Sequence, residues 1–145
     1  MSATPRARIM AGALAIPLVV ALAACENDEK KAKETASQPC PSSIDQTAST
    51  PLPRDVPAPN GKAYSYNNQG KTQVWFYAVD GGPDQIESMR DAYDSTLTGK
   101  GYTIKGTDAE DGAEAESEFE GAHEGTTNFR PLCTGKVVLR LKLTS

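Results

Sequence analysis

His123 is the one imidazole in the chain, and with Ser, Asp and Glu residues at hand it could act as the base of a nucleophile–base pair. No serine, however, lies in the Gly-x-Ser-x-Gly setting that projects a nucleophile from a strand-to-helix turn. The local sequence Gly121-Ala122-His123-Glu124-Gly125 reads instead as a solvent-exposed loop. Residues Asp108–Glu124 hold eight acids in 17 positions, and hard cations favour several oxygen ligands. The calcium-loop spacing fails there. Counted from Asp108, the glycine comes one place early at Gly112 and the twelfth position is Phe119. The alternation of Glu114, Glu116, Glu118 and Glu120 reads more simply as the solvated face of a strand, where charge discourages edge-to-edge pairing. Gly81-Gly82 could cradle an anion at a helix start, but Pro83 lacks an N–H, and Asp80 and Asp84 would repel the guest. With a single His and no Cys-x-x-Cys the usual zinc sets are missing. No catalytic residue, metal site or cofactor is assigned.

The 145 residues amount to about one domain. Fifteen basic residues stand against 19 acidic ones, a net charge of −4. That balance repels phosphate backbones and argues against a nucleic-acid partner. One apolar run excludes a multi-span membrane protein.

That run, Ile9–Ala24, is 16 uncharged residues long, follows Arg6 and Arg8, and contains Gly12 and Pro17. A spanning helix needs about 20 apolar residues, so the three-part pattern reads as a secretory signal over residues 1–24 rather than an uncleaved anchor. Leu22-Ala23-Ala24-Cys25 at its end resembles the lipobox of bacterial lipoproteins. The resemblance implies cleavage before Cys25 and a diacylglycerol thioether on its sulfur. At about 0.8 kcal/mol per buried CH₂, two long acyl chains anchor firmly. It also implies a place on the outer face of the cytoplasmic membrane. The competing reading is ordinary cleavage nearby and a released protein with an odd thiol. Removing residues 1–24 takes away two basic residues and no acid, so the net charge falls from −4 to −6. Anionic headgroups would repel such a head, so lipid must hold it.

If Cys25 is acylated, Cys40 and Cys133 remain as an even pair in an oxidising compartment. Their disulfide would close a loop of about 94 residues, worth about 4–5 kcal/mol in the chain-entropy model. Two free thiols are the alternative. A catalytic cysteine lacks support, since no His is near either residue in sequence.

The elements that must position these groups follow from composition and period. Residues 25–60 lack large apolar residues at first and then carry six prolines from Pro39 to Pro59. They read as a lipidated Cys followed by a disordered, Pro-rich tether. A domain over residues 61–145 begins with Lys62–Tyr66 and Thr72–Val79, two strands joined by a hairpin turn. Pro83 opens a helix in which Ile86, Met89, Tyr93 and Leu97 form an apolar stripe, and Gly99-Lys100-Gly101 closes it. Tyr102–Lys105, Glu114–Glu120, Thr127–Leu132 and Val137–Leu143 read as four more strands. In the last, Leu139, Leu141 and Leu143 face one way and Arg140 and Lys142 the other. The expected class is α+β: a mostly antiparallel sheet, one helix packed on one face, order ββ-α-ββββ. The pattern Tyr93-x₃-Leu97-x₃-Gly101-Tyr102 resembles small α+β domains of secreted actinobacterial lipoproteins, and this implies a fold but no mechanism.

One helix covers one face at most. Trp75 and Tyr77, with Tyr64 or Tyr66, could therefore form an open aromatic platform for a glycan or an envelope protein; the competing reading is that the tether, loops or a partner subunit cover that face and make them ordinary core residues. The expected function is a membrane-anchored extracytoplasmic binding or accessory module. An envelope-acting hydrolase or transferase using His123 is the alternative.

Overall fold

A computed structural model describes residues 23–144; the signal expected over residues 1–24 lies outside them save for Ala23 and Ala24. Six strands form, the second of them the richest in β-branched and aromatic residues: β1 (Lys62–Gln69), β2 (Thr72–Asp80), β3 (Thr103–Glu110), β4 (Glu114–Glu120), β5 (Glu124–Cys133) and β6 (Lys136–Thr144). Two helices, α1 (Ala23–Ala36) and α2 (Ile86–Gly99), complete an α+β fold. The strands form one antiparallel sheet in the order β1-β2-β6-β5-β4-β3. From β1 onward the elements follow the expected ββ-α-ββββ order, while α1 is an addition ahead of it.

Period two sets which side of the sheet is buried. Trp75, Tyr77 and Val79 pair with Leu141, Leu139 and Val137, and all six are buried in one cluster with Phe119, Phe129 and Leu143. α2 lies on this core face across β3, β4 and β5, burying Ile86, Tyr93 and Leu97. Its start is set by Pro83 and by Gln85, whose Oε1 accepts from Gly82 N–H at 3.1 Å. Gly101 at φ +90° ends it, a conformation that other residues adopt at a cost.

Met89 was the expected second member of the buried stripe, but it is only half-buried. The fourth residue after Ile86 is Arg90, which is 6% exposed. Its guanidinium donates to Asp91 Oδ1 at 2.7 and 3.0 Å and to the Asp108 carbonyl at 3.0 Å. It thereby ties the helix to β3.

Residues 25–60 depart from the tether expectation. Cys25 falls within α1, a helix of Ala, Glu and Lys with Glu29 and Lys33 paired one turn apart. α1 sets Ala32, 7% exposed, toward β5. Cys40 is disulfide-bonded to Cys133 with Cα atoms 5.0 Å apart. Thr134 N–H and Oγ1 both donate to the Gln38 carbonyl at 2.9 and 3.0 Å beside that bridge. The chain then passes a 3-10 turn at Ser42–Asp45, is pinned by Ala48 N–H to Ala63 O at 2.9 Å, and crosses the core face. We call residues 48–60 the strap. Leu52 packs on the core and Val56 is 3% exposed within it. At the strap's end, Gly61 sits at φ +129° with no room for a side chain, since a Cβ would lie 2.6 Å from the Ala78 carbonyl oxygen.

Replacing Cys40 and Cys133 together by Ser is expected to lower unfolding free energy by about 2–4 kcal/mol. Urea unfolding of oxidised and substituted chains checks this; equal midpoints would show that the bridge adds no stability.

Candidate functional site

The aromatic residues expected as a platform do not form one open surface. Trp75 is 0% exposed and Tyr77 5%. Trp75 Nε1 donates to the Thr50 carbonyl at 2.9 Å, and the half-buried Tyr66 ring stands 5.1 Å from the indole. Tyr64 falls on the opposite face beside Phe76, with ring centroids 6.3 Å apart. A bulge between Ala63 and Ser65 shifts the register, so Tyr64 and Tyr66 part company despite their spacing of two. The cover over Trp75 and Tyr77 is the strap, a segment whose proline content reads as non-globular.

An open concavity lies where strap and helix meet. Ala58, Pro59, Asn60 and Gly61 from the strap's end face Met89, Ala92, Tyr93 and Thr96 of α2 across a floor of Val79 and Phe129. The cleft has a volume of about 400 Å³, within the range of small-molecule sites. Val79, Phe129 and Tyr93 make its floor apolar, while Asn60, Asp80 and Thr96 put polar groups at the rim. The Tyr93 hydroxyl donates to the Pro57 carbonyl at 2.8 Å, and burial pushes its ionisation far above the usual tyrosine range. Tyr93 therefore serves as a fixed, neutral wall between strap and cleft. Asp80 remains exposed and pairs with Lys136 at 2.5 Å.

His123 has a partner that sequence reading did not supply. Its Nε2 lies 2.9 Å from Asp55 Oδ2 of the strap. A His–Asp pair orients an imidazole, but a catalytic triad also needs a hydroxyl or thiol within reach of the other ring nitrogen. No hydrogen bond of His123 to a Ser, Thr or Cys is present among the described residues. The pair links the strap to the β4–β5 turn, and we call it the clasp.

Two further polar groups escaped the sequence. Asp94, 8% exposed, accepts from Ser117 Oγ at 2.5 Å, and its Oδ1 has no partner. Burial raises its ionisation above the usual carboxylate range, opposed by the Ser117 hydrogen bond and the Arg90 charge. On the opposite face Asn128 Nδ2 donates to both Glu114 and Glu116, and Arg130 pairs with Glu114. Burial works against the Glu114 charge, yet Arg130 and Asn128 hold it below its ordinary value. The hydrogen bond that Glu116 donates to the Glu114 carboxylate, together with burial, pushes Glu116 up. This half of the alternating acids is thus a hydrogen-bonded network on the sheet rather than a wholly solvated face. No group of three His, Cys, Asp or Glu residues placed to hold a metal occurs among the described residues.

No family model, no curated protein and no solved structure matches this chain.

Asp94 gives a pH signature. A raised carboxyl stabilises the fold fully below the unfolded value of about 3.9, and loses that contribution as pH rises through the folded value. Asp94→Asn stays neutral and keeps an acceptor for Ser117. It is expected to match the wild type near pH 3.5 and to exceed it above pH 6 by an amount on the order of 1 kcal/mol. Denaturant midpoints across that range check this, and a deficit that grew with pH would make Asp94 a paired charge instead. Trp75 emission is expected to be blue-shifted and poorly quenched by acrylamide. Strong quenching in the folded chain would restore the open platform.

Proposed function

We propose that this chain is a lipid-anchored extracytoplasmic protein whose head is a binding or accessory module at the cell envelope. The observation that carries the reading is the division of the three cysteines. Cys40 and Cys133 are bridged to each other, which suits an oxidising compartment. Cys25 is left over, at the end of the apolar run and in the lipobox-like setting Leu22-Ala23-Ala24-Cys25. Acylation of that sulfur gives the odd cysteine a role. Among the described residues no helix is long and apolar enough to cross a membrane, and in this reading thioether-linked lipid does the anchoring.

The binding part of the reading rests on the cleft between the strap and α2. Its apolar floor and polar rim suit a small amphipathic ligand, or a side chain of a partner protein or glycan-bearing molecule. The Tyr93 hydroxyl, held on the Pro57 carbonyl, fixes one wall of that cleft, which suits recognition.

Changing Cys25 to Ala is the deciding experiment. The wild type is expected in the membrane fraction, with the mass of a diacylglyceryl group on residue 25, and the variant in the soluble extracytoplasmic fraction. A wild-type chain recovered with an unmodified Cys25 would overturn the anchor. Ala92→Phe, which fills the cleft from the helix side, is expected to abolish capture of its ligand in cells without changing fractionation.

A further inference from the structure

The strap is held by contacts of a particular chemistry. It makes one backbone–backbone bond of its own over residues 49–60, the turn from Val56 N–H to Pro53 O at 3.0 Å. The core face supplies the rest. The Trp75 indole N–H holds the Thr50 carbonyl at 2.9 Å, and the Tyr93 hydroxyl holds the Pro57 carbonyl at 2.8 Å. Leu52 and Val56 enter the core between these two points, and Pro59 is buried beyond them. Aromatic-lined grooves take proline-rich segments in this manner. There indole and phenol donors bond to carbonyls of a chain already short of conformational entropy, as Trp75 and Tyr93 do here, with Leu52 and Val56 as the apolar anchors.

We propose that the core face under the strap is a receptor groove for a proline-rich segment of another protein, filled in cis by residues 49–57 and open to such a segment in trans when the strap lifts. The inference deepens the binding-module reading and rests on it, though lipid anchorage does not enter. Three observations support exchange. The strap is joined to the sheet by side-chain donors rather than strand pairing beyond Ala48. One of its outer holds is the His123–Asp55 clasp, half open to solvent. Finally, the Tyr102 hydroxyl is buried, lies in the field of the Asp55 carboxylate, and has no hydrogen-bond partner among the described residues. The strap leaves that donor unused, and an incoming segment with a carbonyl in reach would satisfy it. Cys40–Cys133 on one side and β1 on the other keep a displaced strap close. It therefore competes with any rival at the high local concentration of a short tether.

The test uses the oxidised full chain in detergent and a fluorescent, carboxy-amidated peptide of residues 49–57, which stops short of the cleft. Wild type is expected to bind it weakly, because the cis strap competes. Val56→Ala loosens the strap and is expected to bind at least tenfold more tightly. Adding Trp75→Phe, which keeps a ring and removes the indole donor, is expected to cost about tenfold of that gain. Ala92→Phe is expected to leave peptide binding within twofold, so failure of the cleft reading and failure of this one give different results. If Val56→Ala keeps its near-UV spectrum yet binds no better than wild type, the groove is not exchangeable and the proposal falls. The same holds if Trp75→Phe leaves binding unchanged. Should Val56→Ala fail to fold, His123→Asn, which opens only the surface clasp, is judged by the same criteria.

Discussion

A six-stranded sheet is wider than one helix. Five gaps of about 4.8 Å span about 24 Å, whereas a helix with its side chains is about 10–12 Å across. α2 reaches β3, β4 and β5 and leaves the core side of β1, β2 and β6 to be covered by something else. Trp75, Tyr77, Leu139 and Leu141 could not stay exposed there without a large apolar patch. The strap meets that requirement, and most of the molecule's other features follow from where it must go.

The strap has to run from the end of β5, where Cys40 is held, over the core face and into β1. The Cys40–Cys133 bridge fixes its approach beside the β5–β6 turn, and Gly61 lets the chain turn closely past the Ala78 carbonyl. Because the strap ends against α2 without filling the angle between them, the cleft walled by Ala58, Ala92 and Tyr93 remains. Cover and candidate binding site therefore come from one segment. The same segment pulls His123 out of the solvent-facing role its glycine-rich surroundings imply, by offering Asp55 as a partner.

The parts of the fold governed by local period could be read from the chain. β6 declares itself by Leu139, Leu141 and Leu143, and α2 by its proline start, its stripe and its closing glycines. The bridge was legible only once Cys25 had been set apart. What escaped depends on distant partners. Composition gives prolines and small residues a poor chance of ordering, yet Leu52 and Val56 are sufficient when an aromatic face awaits them. α1 lacks the large apolar residues that mark a buried helix, although its Ala, Glu and Lys are good helix formers and Ala32 is small enough to pack closely. Arg90 and Asp94 occupy helix positions that geometry assigns to the interior. Their polarity hid this, because the Asp108 carbonyl and Ser117 that receive them belong to strands folded later in the chain. Alternation separates the two faces of β2 but cannot choose between an open aromatic platform and a face covered by the preceding chain; the buried Trp75, bonded to Thr50, decides for the cover.

β6 has a further consequence through its place in the sheet. It sits between β2 and β5, so the hairpin of β1 and β2 and the meander of β3, β4 and β5 share no strand pairing until it arrives. Residues that meet across the β2–β6 seam, such as Trp75 and Leu141, are far apart in sequence, and such contacts form slowly. A polypeptide emerging through a narrow channel would thus remain two unjoined halves until the segment from Lys136 onward had come through. The sheet, and with it the continuous core face, closes only when β6 pairs with both halves.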